Sequence, residues 1–260
     1  MTDAFEYPAI DLEPHRQGNT GIAYAHRFMA AAPGPTVLVT ALTHGNELCG
    51  AYAVDRMLRQ GFRPRRGTLA LCFVNVEAYR RFNPARPLNG RFVEEDFNRL
   101  WSPAILEGPR QSVELKRARA IRPLVDEADY LLDLHSMQTD CPALTLCGLN
   151  VRALELGLQV GGTEHFVVDA GHRGGQRMRD YGGFGDPASR RTSLLVECGQ
   201  HGRRASVEVA IDTTNRFLAV LGMSDQAPPP PVAPPSIVEV VQAVTVESNS
   251  VRFEMPYAGL

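Results

Sequence analysis

From about residue 21 to about residue 221, short Val- and Leu-rich runs alternate with amphipathic stretches. Brief continuous apolar runs suit strands buried on both faces, and an apolar period near 3.6 residues suits helices laid against them. The runs predict strands over 21–28, 36–42, 68–74, 130–134, 143–146, 165–168 and 193–196. Helices are predicted over 47–59, 112–125, 151–160 and 205–221. The first would place Leu48, Ala51, Val54 and Leu58 on one face, and Pro123 should weaken the end of the second. Strands interleaved with helices in this way imply an α/β domain whose sheet is covered on both sides.

A late boundary interrupts the alternation. Prolines occupy 228–231, 234 and 235, a density that suits neither helix nor central strand and predicts an extended spacer. Beyond it, Ile237–Val246 and Val251–Phe253 again have the character of β-structure. The expected organisation is a main domain over 1–224, a Pro-rich linker over 225–236 and a short β segment over 237–260. So short a segment cannot hold its own core, so it must pack on the main domain or belong to a curtailed unit.

Composition removes several classes. With 44% hydrophobic and 22% charged residues in 260, wholesale disorder is excluded. A net charge of −2 offers no basic footprint for nucleic acid. No apolar run approaches the roughly 20 residues that span a bilayer. Residues 1–10 contain Asp3 and Glu6 and lack the basic and apolar regions of a signal peptide, so a cytoplasmic location is expected. The five cysteines include no Cys-x-x-Cys pair and read as reduced core residues rather than a thiolate zinc site.

Several polar residues stand where the predicted strands end. His44 lies just past 36–42, Asp133 and His135 close 130–134, and Glu197 follows 193–196. Open α/β sheets bind ligands beyond the carboxyl ends of their strands, so these side chains can meet in one crevice. His44-Gly45-Asn46-Glu47 places an imidazole and a carboxylate where both can bind one face of a zinc ion, with a distant third ligand leaving a position open. Alone the pair is a weak signal, since roughly 0.4 His-x-x-Glu pairs arise by chance in such a chain. His135 strengthens it, although a lone histidine is more often a hydrogen-bonded core residue. Asp133 is a candidate to orient a ligand from behind. Glu197 directly after an apolar run is a costly place for a charge unless something pairs with it. Between these, Arg91-Phe92-Val93-Glu94-Glu95-Asp96-Phe97-Asn98-Arg99-Leu100-Trp101 shows little apolar periodicity and reads as a long loop of the functional kind.

Taken together, His44-Gly45-Asn46-Glu47, Asn75 opening Asn75-Val76-Glu77-Ala78, the block from Arg91 through Asp96-Phe97-Asn98-Arg99, Asp133-Leu134-His135 and Glu197 resemble, in order and spacing, the succinylglutamate desuccinylase/aspartoacylase family. That resemblance implies a three-layer, zinc carboxypeptidase-like α/β domain with a mixed central sheet. It implies one zinc ion per chain bound by His44, Glu47 and His135, with Glu197 activating the metal's water and then protonating the leaving amine. By the same resemblance Arg91 polarises the scissile carbonyl, while Asn98 and Arg99 hold the carboxylate of an N-acyl amino acid. The implied activity is removal of an acetyl, succinyl or similar group from that small molecule, with neither nucleic acid nor membrane as partner and homo-oligomerisation left open.

Two departures leave acyl specificity open. Members similar to aspartoacylase carry a substrate-binding arginine about ten residues before the catalytic glutamate, where this chain has Pro187. Arg173, Arg177, Arg179, Arg190 and Arg191 are nearby substitutes. The family's β-domain after the linker is usually longer, so by the resemblance a capping contribution to the pocket is either missing here or reduced to Tyr257. A metallocarboxypeptidase acting on peptides and a non-catalytic metal-binding module are the alternative readings, the second disfavoured by Glu197 and Arg91.

Overall fold

The strands form where the apolar runs lie. A computed structural model describes residues 5–242; the predicted β-structure at 251–253, the end of the stretch at 237–246 and Tyr257 lie outside the described residues. Strands β1 (Ala25–Met29), β2 (Ala32–Ala41), β3 (Arg66–Phe73), β4 (Tyr130–Met137), β5 (Leu144–Leu146), β6 (His165–Val168), β7 (Thr192–Gln200) and β8 (Ser236–Glu239) make one sheet. Their order is β1-β3-β2-β4-β7-β5-β6-β8. The β1–β3 and β5–β7 pairs are antiparallel and the others parallel, which makes the sheet mixed as expected.

Helices α1 (Cys49–Arg59), α2 (Val76–Tyr79), α3 (Pro103–Leu106), α4 (Val113–Glu127), α5 (Val151–Val160) and α6 (Arg204–Val220) connect the strands. Strand alternation divides the core in two. Val37, Val39, Leu132, Leu134, Leu194 and Val196 face α1, α5 and α6, while Leu38 and Leu131 face α4 and the segment around Phe97 and Trp101. The result is the three-layer α/β arrangement.

Three details differ from the sequence expectation. Strands β4 and β7 run past the predicted ends, so His135 and Glu197 sit within the ladder, paired in register, rather than beyond it. Second, α4 continues four residues past Pro123. Ile121, Leu124 and Val125 are buried on its sheet-facing side, and that burial offsets the backbone hydrogen bond proline cannot donate. Third, the first predicted strand begins at Ala25, after a Tyr24 with positive φ.

The linker is pinned to the domain. Val232 N–H donates to Gly161 O at 3.0 Å, and Arg216 Nη1 donates to Pro230 O at 2.7 Å. From there β8 enters the sheet parallel to β6, with His165 opposite Ser236 and Val167 opposite Val238.

Candidate functional site

The first part of the site is built at the end of β2. Leu42, fully buried, holds φ at +61°, a left-handed conformation that costs a non-glycine residue about 1–3 kcal/mol. The strained turn leads directly into Thr43-His44-Gly45-Asn46-Glu47 and so to α1. Gly45 is required by a close approach: a Cβ there would lie 2.3 Å from Tyr79 N and 2.6 Å from Gly90 O. Its own N–H donates to Arg91 O at 3.0 Å, which joins this turn to the loop that follows.

His44, Glu47 and His135 converge behind that turn, and their donor atoms lie within 4.8 Å of one another. His44 Nδ1 is 2.8 Å from Glu47 Oε1, and His135 Nδ1 is 2.7 Å from Glu47 Oε2. All three side chains are buried. Each imidazole has a second carboxylate at Nε2: Asp96 Oδ1 at 2.9 Å from His44 and Asp133 Oδ2 at 2.8 Å from His135. Asp133 is held in turn by the hydroxyls of Thr40 and Thr43, which both donate to its Oδ1 at 2.8 Å. Two residues apart on β4, Asp133 and His135 share a face, so strand alternation aims the carboxylate at the imidazole rather than away from it.

The carboxylates around the two imidazoles favour positive charge there. Burial opposes charge on both histidines, but Glu47 and Asp96 at His44, and Asp133 and Glu47 at His135, outweigh it and push both imidazoles above their ordinary range. Burial likewise opposes ionisation of Glu47, and the two histidines overcome it and hold the carboxylate well below its usual range. Two ring nitrogens and one carboxylate, with the outer nitrogens held by further carboxylates, match a two-histidine, one-glutamate metal set with its supporting groups.

Glu197 stands across the β4–β7 ladder from His135 and across the β5–β7 ladder from Leu144. Its Oε2 is buried with no hydrogen-bond partner. Burial first, and then the charge of Glu47, push its carboxyl up to about 8.

The remaining residues come from the loop. Arg91 Nη1 donates to Glu47 Oε1 at 3.2 Å and its Nη2 to Asp96 Oδ2 at 3.1 Å. Asn98 Oδ1 accepts from Met178 N–H at 2.8 Å, leaving Nδ2 as the donor of that side chain. Arg99 Nη1 donates to Asn98 O at 2.7 Å. The loop is fixed by Glu114, a fully buried residue in the first turn of α4. Its carboxylate accepts from the N–H groups of Val93 (2.7 Å), Glu94 (3.2 Å) and Glu95 (3.4 Å), and from Asn75 Nδ2 (3.1 Å).

His44, Arg91, Asn98, Arg99, His135 and Glu197 all line one cavity of about 390 Å³, with Glu47 behind them. Of the arginines between 173 and 191, Arg177 also lines it, tied to Asp169 and Asp180. Arg179 is buried against Asp180 and Cys147 O. Arg191 donates to the Val125 and Ala128 carbonyls at the end of α4, and Arg173 and Arg190 are exposed and do not line the cavity. Sequence reasoning gave no role to Asp96 or Glu114. Asp96 was visible as an acid between two arginines, whereas Glu114 looks like any exposed helix-start glutamate.

Residues 33–205, more than half of the chain, match the family model of the succinylglutamate desuccinylase/aspartoacylase catalytic domain. The chain belongs to this family. A probable aspartoacylase from Parasynechococcus marenigrum is 37% identical over 86 residues, which is 33% of this chain and 26% of that protein. The N-acyl-aromatic-L-amino acid amidohydrolase (carboxylate-forming) A of Danio rerio is 31% identical over 119 residues, 42% of this chain and 34% of that one. The match thus spans about a third or less of the length of these relatives. A crystal structure of a succinylglutamate desuccinylase/aspartoacylase from Rhodobacter sphaeroides has the same fold, with a TM-score of 0.64 and 23% identity over 84% of this chain and 66% of that one. Among the described residues, no helix of this family member is long and apolar enough to cross a membrane.

Proposed function

We propose that this chain is a zinc-dependent amidohydrolase that removes the acyl group from a small N-acyl amino acid. The observation that carries this reading is the juxtaposition, in one cavity, of the His44–Glu47–His135 cluster and Glu197, whose Oε2 is buried without a hydrogen-bond partner. Held by those three residues, a zinc ion would act as a Lewis acid and bring the pKa of water toward about 7.

The chain's own groups supply the rest. Glu197 accepts a proton from the attacking water as the water oxygen bonds to the amide carbon. It then delivers that proton to the amide nitrogen as the carbon–nitrogen bond breaks, giving a carboxylic acid and an amine, and passage of the acid's proton to the amine leaves a carboxylate and an ammonium. Its unpartnered Oε2 is the atom placed to hold that proton between the two steps. Arg91, oriented by Glu47 and Asp96, donates to the carbonyl oxygen as negative charge develops there. Asn98 Nδ2 and the planar fork of Arg99 hold the substrate carboxylate. The name of the Danio rerio relative, an amidohydrolase of N-acyl amino acids, supports the same class.

Incubating the zinc-loaded protein with N-acetyl, N-formyl and N-succinyl amino acids and with dipeptides tests the reading. Hydrolysis of N-acyl amino acids is expected. Cleavage of the dipeptides alone would replace the reading with a carboxypeptidase.

A further inference from the structure

The cavity has two unlike walls. One carries the cluster, Glu197 and the loop arginines. The other continues along the sheet from Glu197. Leu195 pairs with Leu146, Leu146 with Val167, and Val167 with Val238, so one row of four apolar side chains crosses β7, β5, β6 and β8. All four line the cavity, and Leu195 shares its strand face with Glu197 two residues on. Over β2 and β4 the same side of the sheet is covered by α4 and the Phe97–Trp101 segment. Over this row lies the cavity.

The charges on the polar wall are mostly spoken for. Arg91 is paired with Glu47 and Asp96, and Arg177 with Asp169 and Asp180. His172 accepts from Gly174 N–H through Nδ1, and burial together with Arg99 and Arg177 keeps its charge down. Arg99 has the loosest pairing of the cavity's arginines, 3.9 Å to an Asp96 that Arg91 already holds at 3.1 Å. One substrate carboxylate is thereby satisfied. A second would lie against leucine and valine side chains with nothing to replace its hydration, a costly burial.

We propose that the cavity takes a substrate with a single carboxylate and an apolar group, aliphatic or aromatic, seated on the Leu195–Leu146–Val167–Val238 row. The claim rests on the amidohydrolase reading and narrows it to monocarboxylic, apolar N-acyl amino acids. The apolar group comes from the amino-acid side chain or from the acyl chain, and two substrate series separate these sources.

The zinc-loaded protein is assayed with N-acetyl derivatives from glycine to norleucine, and with glycine derivatives from N-acetyl to N-hexanoyl. In one series kcat/KM should rise about fourfold per added methylene. N-acetylaspartate and N-succinyl amino acids should be at least tenfold poorer than the best apolar substrate. Val238→Arg, on the sheet edge, should flatten the chain-length dependence and improve the dicarboxylic substrates. Equal or better turnover of N-acetylaspartate by the unaltered protein overturns the proposal and leaves the amidohydrolase reading standing. In parallel, calorimetry measures binding of butyrate, hexanoate, octanoate and succinate. Affinity that climbs with chain length, with butyrate above succinate, supports the apolar seat even if no amide is cleaved, in which case the amidohydrolase reading falls instead. Affinity that is flat with length, or tighter for succinate, overturns the seat.

Discussion

His44, Glu47, His135 and Glu197 stand on or directly beside the central strands, whereas Arg91, Asp96, Asn98 and Arg99 stand on a loop with no ladder of its own. For His135 and Glu197, position follows from backbone register, because the β4–β7 ladder sets them opposite one another. For the loop, position depends on a few separate anchors: the Glu114 carboxylate, the Gly45 N–H to Arg91 O bond, and Asn98 Oδ1 on Met178 N–H. Parallel strands cannot shift one residue without sending every side chain to the opposite face of the sheet and the wrong core layer. Loss of a loop anchor carries no such penalty. The groups proposed for the metal and the proton thus rest on or beside the sheet, and the proposed contacts to the substrate carboxylate rest on the loop.

The largest effect should come from the strand side. His135→Ala or His44→Ala should abolish zinc binding and with it hydrolysis, read by elemental analysis and turnover, because two protein ligands do not suffice. Retention of full zinc by both variants would remove these residues from the metal site.

Glu197→Gln should leave zinc content and substrate affinity near those of the unaltered protein while the rate falls on the order of 10²–10⁴. The same substitution should change the pH dependence of stability in the metal-free protein. A glutamate raised to about 8 when folded, against 4.5 as a free group, stabilises the fold below about pH 4.5 and loses that contribution as pH rises through about 8. The glutamine variant lacks this loss, so its Tm should decline less over that interval. Matching Tm–pH curves for the two proteins would mean Glu197 titrates normally.

On the loop side, Glu114→Gln should cost about 3 kcal/mol in denaturant unfolding, because three backbone N–H groups lose a charged acceptor. Zinc binding should survive it while KM rises, since the cluster's remaining anchors are strand-borne. Loss of zinc together with KM would show that the two regions are not separable.

Arg99→Ala should have the smallest effect of the four, about 1.5–3 kcal/mol in binding of N-acyl amino acids. Their neutral amides should be weakened far less. Equal losses for acid and amide would make Arg99 a support of the loop rather than a substrate contact.

The alternation of apolar runs was enough to place every strand of the sheet's centre, because burial on both faces demands continuous Val- and Leu-rich stretches that polar segments cannot imitate. The residues at the ends of those runs marked His44, His135 and Glu197 as candidates, because a charge or imidazole closing a buried strand has to be used or paired, and the His-x-x-Glu spacing added Glu47. What the local pattern could not contain was partnership over long separations. That Glu114 holds residues 93–95 and that Asp96 backs His44 depend on which elements pack together. The apolar floor of the cavity is of the same kind. Leu195, Leu146, Val167 and Val238 read one by one as ordinary strand interior, and only the sheet order, which sets β5 antiparallel to β7 and parallel to β6 and adds β8 at the edge, lines them up beside Glu197. Burial of each run is a local property of its composition; the register between runs is decided by the summed packing of the whole sheet, and so it appears only in the folded chain.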